Sequence, residues 1–346
     1  MYSTFFSYLC IIKFKIMVTT SHELKQLRHR FVEDTDAPIS VLESPFFEER
    51  LELFEKDFGT KTAYENYFKH IETTYNGNIN LFLEDYHSLR DKIIDTVSQS
   101  ESFKQFNCDK KIDDAIRNNK PSVGNINLYT NEQVNNIFIS IDMKKANFQA
   151  LKIYNPLIVD NAATYEEFIG KYTDFDLAKK SKRTRQIIFG RLNPKRTMNY
   201  EKFLMCELEN QLTSQTFLED FELFSINSDE ILYKAKKGAV IDNIMHVCET
   251  LCHFIKQISI LDIRVEAFTL RNYTFRIHDS KKSQTVYIKH YFDGRKAYKC
   301  ANLIYFTQTY KLINGIEITD NDLVFYNDNT ELAKFLCPLE IDNNRQ

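Results

Sequence analysis

Proline and glycine are scarce in this chain, 6 and 8 among 346 residues, which excludes long flexible linkers and low-complexity repeats. No two cysteines form a Cys-x-x-Cys pair, and the total of seven is odd. Neither a disulfide framework nor a secreted protein is expected, and reduced thiols fit a cytoplasmic or nuclear compartment. A glycine-rich phosphate loop and a Gly-x-Ser-x-Gly elbow are both missing, which sets aside the chemistries those motifs serve. No apolar run is long enough to span a bilayer. Only the beginning, MYSTFFSYLCIIKFKIMVTT, raises the question, but the stretch from Phe5 to Ile12 is short, and Lys13 and Lys15 follow it instead of preceding it. Met17 reads as the working start, with residues 1–16 an upstream extension or a tail, and no membrane partner is expected.

What is present is apolar and aromatic. Apolar residues make up 43%, with 28 Phe and 19 Tyr, enough for a sizeable core, and the length suits two or three domains. The excess of Asn, Lys, Ile, Tyr and Phe points to an AT-rich genome, which fits a viral source. A net charge of −3 hides one asymmetry: from Lys179 to Arg196 there are eight Lys and Arg and no acid.

Residues 17–125 carry helical periodicity and read as an accessory helical domain. SPFFEERLELFEKDFG has a Ser-Pro start and a closing glycine, and NINLFLEDYHSLRDKIIDTVSQS repeats the pattern. Turn residues in NNKPSVGNINLYTNEQ mark a boundary near 125. Beyond it the rhythm changes to strand, helix, hairpin, helix, strand, through NNIFISIDM, NYEKFLMCELENQL, FELFSINSDEILYKA, AVIDNIMHVCETLCHFIKQISI and DIRVEAFTL. That order predicts an α+β protein with a ferredoxin-like βαββαβ core over 131–275. Residues 276–346, with QTVYIKHYF, KAYKCANLIYFTQTYKLI and DLVFYND, read as a β-rich C-terminal extension. Its tyrosines and Lys289, Lys296, Lys299 and Lys311 would either grip single-stranded nucleic acid or pack as a small sheet.

In a split βαβ sheet the first strand lies beside the hairpin, so Asp142 is expected to approach Asp229 at the hairpin tip. An Asp in a turn also stabilises the bend by bonding its own backbone. Two carboxylates held together repel unless a proton or cation intervenes, and hard oxygen ligands suit Mg²⁺ or Mn²⁺ with a phosphorylated substrate. HVCETLCH places Cys248, Cys252, His246 and His253 close in sequence, but buried cysteine on an apolar helix face explains it better than zinc.

Three of these segments resemble the palm domain of nucleic acid polymerases. SIDMKKANF resembles motif A, whose strand-borne Asp, here Asp142, binds metal. KRTRQIIFG is similar to motif B of the family B DNA polymerases, with Lys182, Phe189 and Gly190 matching in spacing and Gln186 and Ile187 departing. SDE resembles motif C of family A with Ser228 for His, or of family B with Asn227 for the first Asp, and the spacing resembles reverse transcriptases. The likeness covers about 100 of 346 residues.

It implies Asp142, Asp229 and Glu230 as catalytic metal ligands for Mg²⁺ or Mn²⁺. Lys182 or Arg185 would neutralise the triphosphate, and Arg185, Gln186, Phe189 and Gly190 would line the nucleotide, with the Phe189 ring stacking on a base. Arg191, Lys195 and Arg196 would hold template or primer phosphates. The residue under the ribose would be Asn147, or Phe148 if a bulge shifts the register. The function so implied is template-directed polymerisation or related nucleotidyl transfer, without large fingers or proofreading. The alternatives are a nucleic-acid-binding or structural protein on a degenerate palm, and a nucleotide cyclase, whose hairpin motif NSDEI resembles without the glycines.

Overall fold

The computed structural model describes residues 21–239, 243–277, 282–327 and 331–342; the extension or tail expected over 1–16 lies outside the described residues. The chain is α+β. It begins with α1 (Ser21–Thr35), α2 (Phe46–Phe58), α3 (Thr60–Tyr75), α4 (Ile79–Gln99), α5 (Glu101–Cys108) and α6 (Lys110–Asn118). Local chemistry sets their ends. Gly59 closes α2 at φ 62°, a left-handed conformation that costs a residue without Cβ little. Asn78 and Ser100 cap α4 and α5 by accepting from the amides of Leu81 and Phe103.

Next come β1 (Ile137–Met143), α7 (Ala146–Tyr154), α8 (Tyr165–Gly170), α9 (Asp176–Lys180), α10 (Lys182–Gly190) and α11 (Pro194–Leu212). The hairpin β2 (Phe221–Ile226) and β3 (Glu230–Ala235) leads to α12 (Ile244–Ile258) and to β4 (Ile263–Ile277). The chain continues with β5 (Lys282–Tyr291), β6 (Lys296–Lys299), α13 (Phe306–Ile313), β7 (Val324–Tyr326), β8 (Leu332–Lys334) and β9 (Glu340–Ile341). The main sheet runs β2-β3-β1-β4-β5-β6 with every neighbour antiparallel, and β9 joins the far part of β4. Strands β7 and β8 pair separately.

Alternation along the strands decides which face each side chain takes. Ile139, Ile141 and Met143 of β1, with Ile231 and Tyr233 of β3, pack beneath Met205, Leu208 and Leu212 of α11 and Cys248, Leu251 and Ile255 of α12. The intervening residues point to the opposite face. There Phe138 stacks on Phe268 (5.5 Å, 19°), and Leu128 of the crossing segment covers them with Leu232 and Leu270. Beyond that apolar cover the same face turns polar.

Among the described residues all the strands lie beyond the boundary expected near 125, but so do seven helices, and hydrophobic cores run across it. Val97, Phe103 and Phe106 share a core with Phe148, Tyr165 and Phe189, and Phe31, Phe47 and Phe54 share another with Phe175 and Phe306. In the C-terminal segment read as β-rich, β5 and β6 extend the main sheet, while FTQTYKLI, read as strand, is helical. A helix brings the rings of Phe306 and Tyr310 within 6.3 Å of each other so that both pack on Phe54, at 5.5 and 5.2 Å. A strand would separate them by roughly 13 Å.

Candidate functional site

The polar end of the open sheet face is built by register. Asp142 stands opposite Glu230 of β3 on one side and Arg264 of β4 on the other. The Met143 amide donates to the Asp229 carbonyl at 2.8 Å, which holds the tip of the hairpin against the end of β1. Asp142, Asp229 and Glu230 are thereby brought to one edge. Arg264 Nη2 donates to Asp142 Oδ2 at 3.0 Å, while its Nε lies 3.2 Å from Glu266, which Arg295 also engages at 2.6 Å. Ser140 Oγ donates to Glu230 Oε1 at 2.6 Å. Lys289 of β5, buried over the Phe268 ring, approaches the same oxygen at 3.7 Å.

Burial raises the Asp142 carboxyl to about 6; the Arg264 guanidinium opposes this and the charges of Asp229 and Glu230 add to it. Asp229 is also raised by burial, opposed by its hydrogen bond with Ser228 and by Lys182, with Glu230 pushing it up. A further buried carboxylate comes from α11, which covers the other face of the sheet. Glu201, 7% exposed, is pushed to about 7 by burial and by the charge of Asp229. Sequence reading missed it, although an acid in the stripe with Met205, Leu208 and Leu212 was a visible signal. It also missed Arg264 and Glu266, whose place on the Asp142 face follows only from register.

The basic island divides. On α10, Lys182, Gln186 and Gly190 recur every fourth residue on the exposed side, and Lys182 Nζ lies 3.6 Å from Asp36. Arg185 is half-buried over the Tyr165 ring at 5.7 Å. Burial lowers its pKa, against the pull of Tyr165, Glu166, Asp142 and Asp229. The direct contacts of Lys182 and Arg185 are thus Asp36 and the Tyr165 ring, and their attraction to the acid edge is weak and long-range. Phe189 does not stack on a ligand, contrary to expectation: it is 2% exposed and packs against Phe148 and Tyr165, because helical phase turns it away from Gln186 and Gly190. Arg196 is likewise consumed internally. Its guanidinium pairs with Asp113, donates to the Asp109 carbonyl at 2.7 Å and covers the Phe106 ring, fastening α11 to α5 and α6. Arg191 is exposed and paired with Asp91 at 2.9 Å; Lys195 is exposed.

Lys145 takes φ 52° and turns the chain from β1 into α7. Asn147, in the first turn, has a buried Oδ1 without a hydrogen-bond partner, and Phe148 is 3% exposed in the aromatic core. In the C-terminal part, Lys311 pairs with Asp322 at 2.6 Å and Lys289 is buried, so neither is a free surface cation. Cys248 is buried in the α12 core while His246 and His253 are exposed. Among the described residues no three His, Cys, Asp or Glu side chains are gathered closely enough to hold a metal ion by themselves. A cavity of about 540 Å³ between α2 and the 311–322 segment takes in none of the site acids.

No protein-family model matches the chain, and no curated protein sequence matches it. What the edge can do therefore follows from its own chemistry. Among the described residues no helix is long and apolar enough to cross a membrane.

The acids make stability depend on pH. A carboxyl whose pKa is raised by folding favours the folded state while protonated, and that contribution disappears as pH rises through the folded value. For Asp142 the folded value is about 6 against 3.8, and for Glu201 about 7 against 4.5. The metal-free protein should thus melt progressively lower from pH 5 to pH 8. Glu201→Gln should raise Tm at pH 8 by several degrees, since ionising Glu201 costs on the order of 3 kcal/mol. A melting profile in Glu201→Gln that keeps the wild-type slope between pH 6 and 8 would refute the assignment.

Proposed function

We propose that the chain is a template-directed nucleic acid polymerase or a related nucleotidyltransferase, acting on nucleoside triphosphates and a nucleic acid template or primer. The observation that carries this reading is the meeting of Asp142 with Asp229 and Glu230 at one sheet edge. Strand order supports it: β2-β3-β1-β4, all antiparallel, is the order of a ferredoxin-like palm. The residues fit Mg²⁺ or Mn²⁺ in the manner of phosphoryl-transfer sites, where one or two carboxylates bind the ion and substrate phosphates and water supply the other oxygens. Asp142 and Asp229 would hold it with Glu230 alongside, and bound metal would neutralise charge on the transferring phosphoryl group. The protein's own contribution is cationic, from Lys182 and Arg185, as charge moves to the leaving pyrophosphate.

A second reading, nucleic-acid binding without catalysis, is favoured by one observation: Arg264 already neutralises Asp142. Incorporation assays on DNA and RNA templates, with ribo- and deoxyribonucleotides and with Mg²⁺, Mn²⁺ or EDTA, separate the two. Metal-dependent, template-dependent extension is expected. Template binding with no incorporation under any condition would replace the first reading by the second, and a cyclic dinucleotide product would indicate a cyclase.

A further inference from the structure

Asp34 of α1 is 5% exposed, and its carboxylate collects donors from several elements. Arg30 grips both oxygens, with Nε donating to Oδ2 at 3.0 Å and Nη2 to Oδ1. Tyr86 of α4 donates to Oδ1 at 2.9 Å, and Tyr67 of α3 stands 3.5 Å from Oδ2. The remaining partners belong to α10 and its cap. Ser181 Oγ donates to Oδ1 at 3.0 Å, and Thr184 Oγ1 lies 3.4 Å from the same oxygen and hydrogen-bonds to Tyr86. Ser181 is the N-cap of α10, its Oγ accepting from the Thr184 amide at 3.0 Å.

One buried carboxylate thus orients the hydroxyl that starts the helix and a second hydroxyl one turn into it. Helix α10 packs on α1 and α4, so its orientation is set from the N-terminal helices. Arg185, one turn after Ser181, lies 5.7 Å from the Tyr165 ring, which Lys145 in the turn just after β1 approaches at 6.0 Å, while Lys182 pairs with Asp36 at 3.6 Å. A carboxylate that served burial alone would be satisfied by Arg30 and the two tyrosines. The added Ser181 and Thr184 contacts couple it to one particular helix.

We infer that Asp34 is the positioning residue of α10: through Ser181 and Thr184 it holds Arg185 beside Tyr165 and the turn that leaves β1, next to the acid edge, and so sets the site's affinity for substrate phosphates. The inference rests on the phosphate-handling reading of the site and extends it by giving the N-terminal helices a share in that site.

Amide hydrogen exchange and binding of Mg²⁺-tripolyphosphate test it in the full chain. Asp34→Asn should speed exchange of the α10 amides about tenfold relative to those of β1, and should weaken tripolyphosphate binding about tenfold. Ser181→Ala should shift both in the same direction by less. The control is Phe31→Leu, a fully buried change on the same helix that packs on Phe47, Tyr64 and Tyr67. It should lower Tm and leave both readouts unchanged. Wild-type exchange in α10 of Asp34→Asn, or an equal shift in Phe31→Leu, overturns the inference. Should Asp34→Asn fail to fold, Ser181→Ala and Tyr86→Phe carry the same two readouts. Absence of tripolyphosphate binding in the wild type would defeat the phosphate reading, while α10 exchange would still decide whether Asp34 positions the helix.

Discussion

Asp142→Asn is expected to lower nucleotide transfer by roughly a thousandfold or more while the protein stays folded, the scale on which charge-stabilising groups act in phosphoryl transfer. The substitution keeps the shape of the side chain and its place between Glu230 and Arg264, and removes only the charge. In the metal-free protein Asp142 ionises near 6, so at pH 7 to 8 it presents the anion a divalent cation requires. Removing a charge that burial and two neighbouring carboxylates oppose should also raise Tm at pH 8 in EDTA. Activity and stability would then move in opposite directions, which a merely misfolded variant cannot do. Primer extension and melting curves with and without Mg²⁺ provide the check; wild-type incorporation by Asp142→Asn would end the polymerase reading. Asp229→Asn should behave alike. Glu230→Gln should be milder, because Glu230 is already engaged by Ser140 and Lys289.

Phe148→Ala should destabilise the protein by about 3–5 kcal/mol, as truncating a fully buried aromatic leaves a cavity its neighbours fill only in part. The ring is 3% exposed and meets Tyr165, Phe168 and Phe189 at 6.1, 6.2 and 6.5 Å. It is therefore a core side chain and not a contact for a sugar. Asn147, partly exposed in the first turn of α7, is the candidate that remains for the position under the ribose; its Oδ1 is buried, so a 2'-hydroxyl would meet the rest of its amide group. Asn147→Ala should leave stability nearly unchanged and reduce ribonucleotide use by roughly tenfold or more relative to deoxyribonucleotides, since a polar group in a site discriminates through the partner it would leave unpaired. Urea denaturation and competitive incorporation measure the two effects. A Phe148→Ala protein as stable as wild type would put the ring, and with it the register after Asp142, in doubt.

Asp142 and Asp229 could be paired from sequence because a strand and a short hairpin are local patterns, and the succession of elements suggested the split βαβ order that sets them side by side. IFISIDM alternates and FELFSINSDEILYKA turns back on itself, so both elements are legible within a few residues. The basic island was legible only as charge. Whether a given cation faces a ligand or another helix depends on phase and on acids far away in the chain. Asp113 and the Asp109 carbonyl take Arg196, Asp91 takes Arg191, and Lys182 and Arg185 keep an influence on the acid edge.

By itself the sequence determined the mixture of helix and sheet, the caps at Asn78, Ser100 and Ser181, and the two faces of β1, since each depends on backbone chemistry and periodicity over one or two turns or strands. Tertiary structure alone decided that Arg264 would meet Asp142, that Glu201 would be buried near Asp229, that FTQTYKLI would coil onto α2, and that Asp34 would hold the start of α10. Those outcomes turn on strand register and on which distant segment supplies the partner. A one-residue slip in β4 would send Arg264 to the other face, and no local pattern around Asp34 announces Ser181 as its partner.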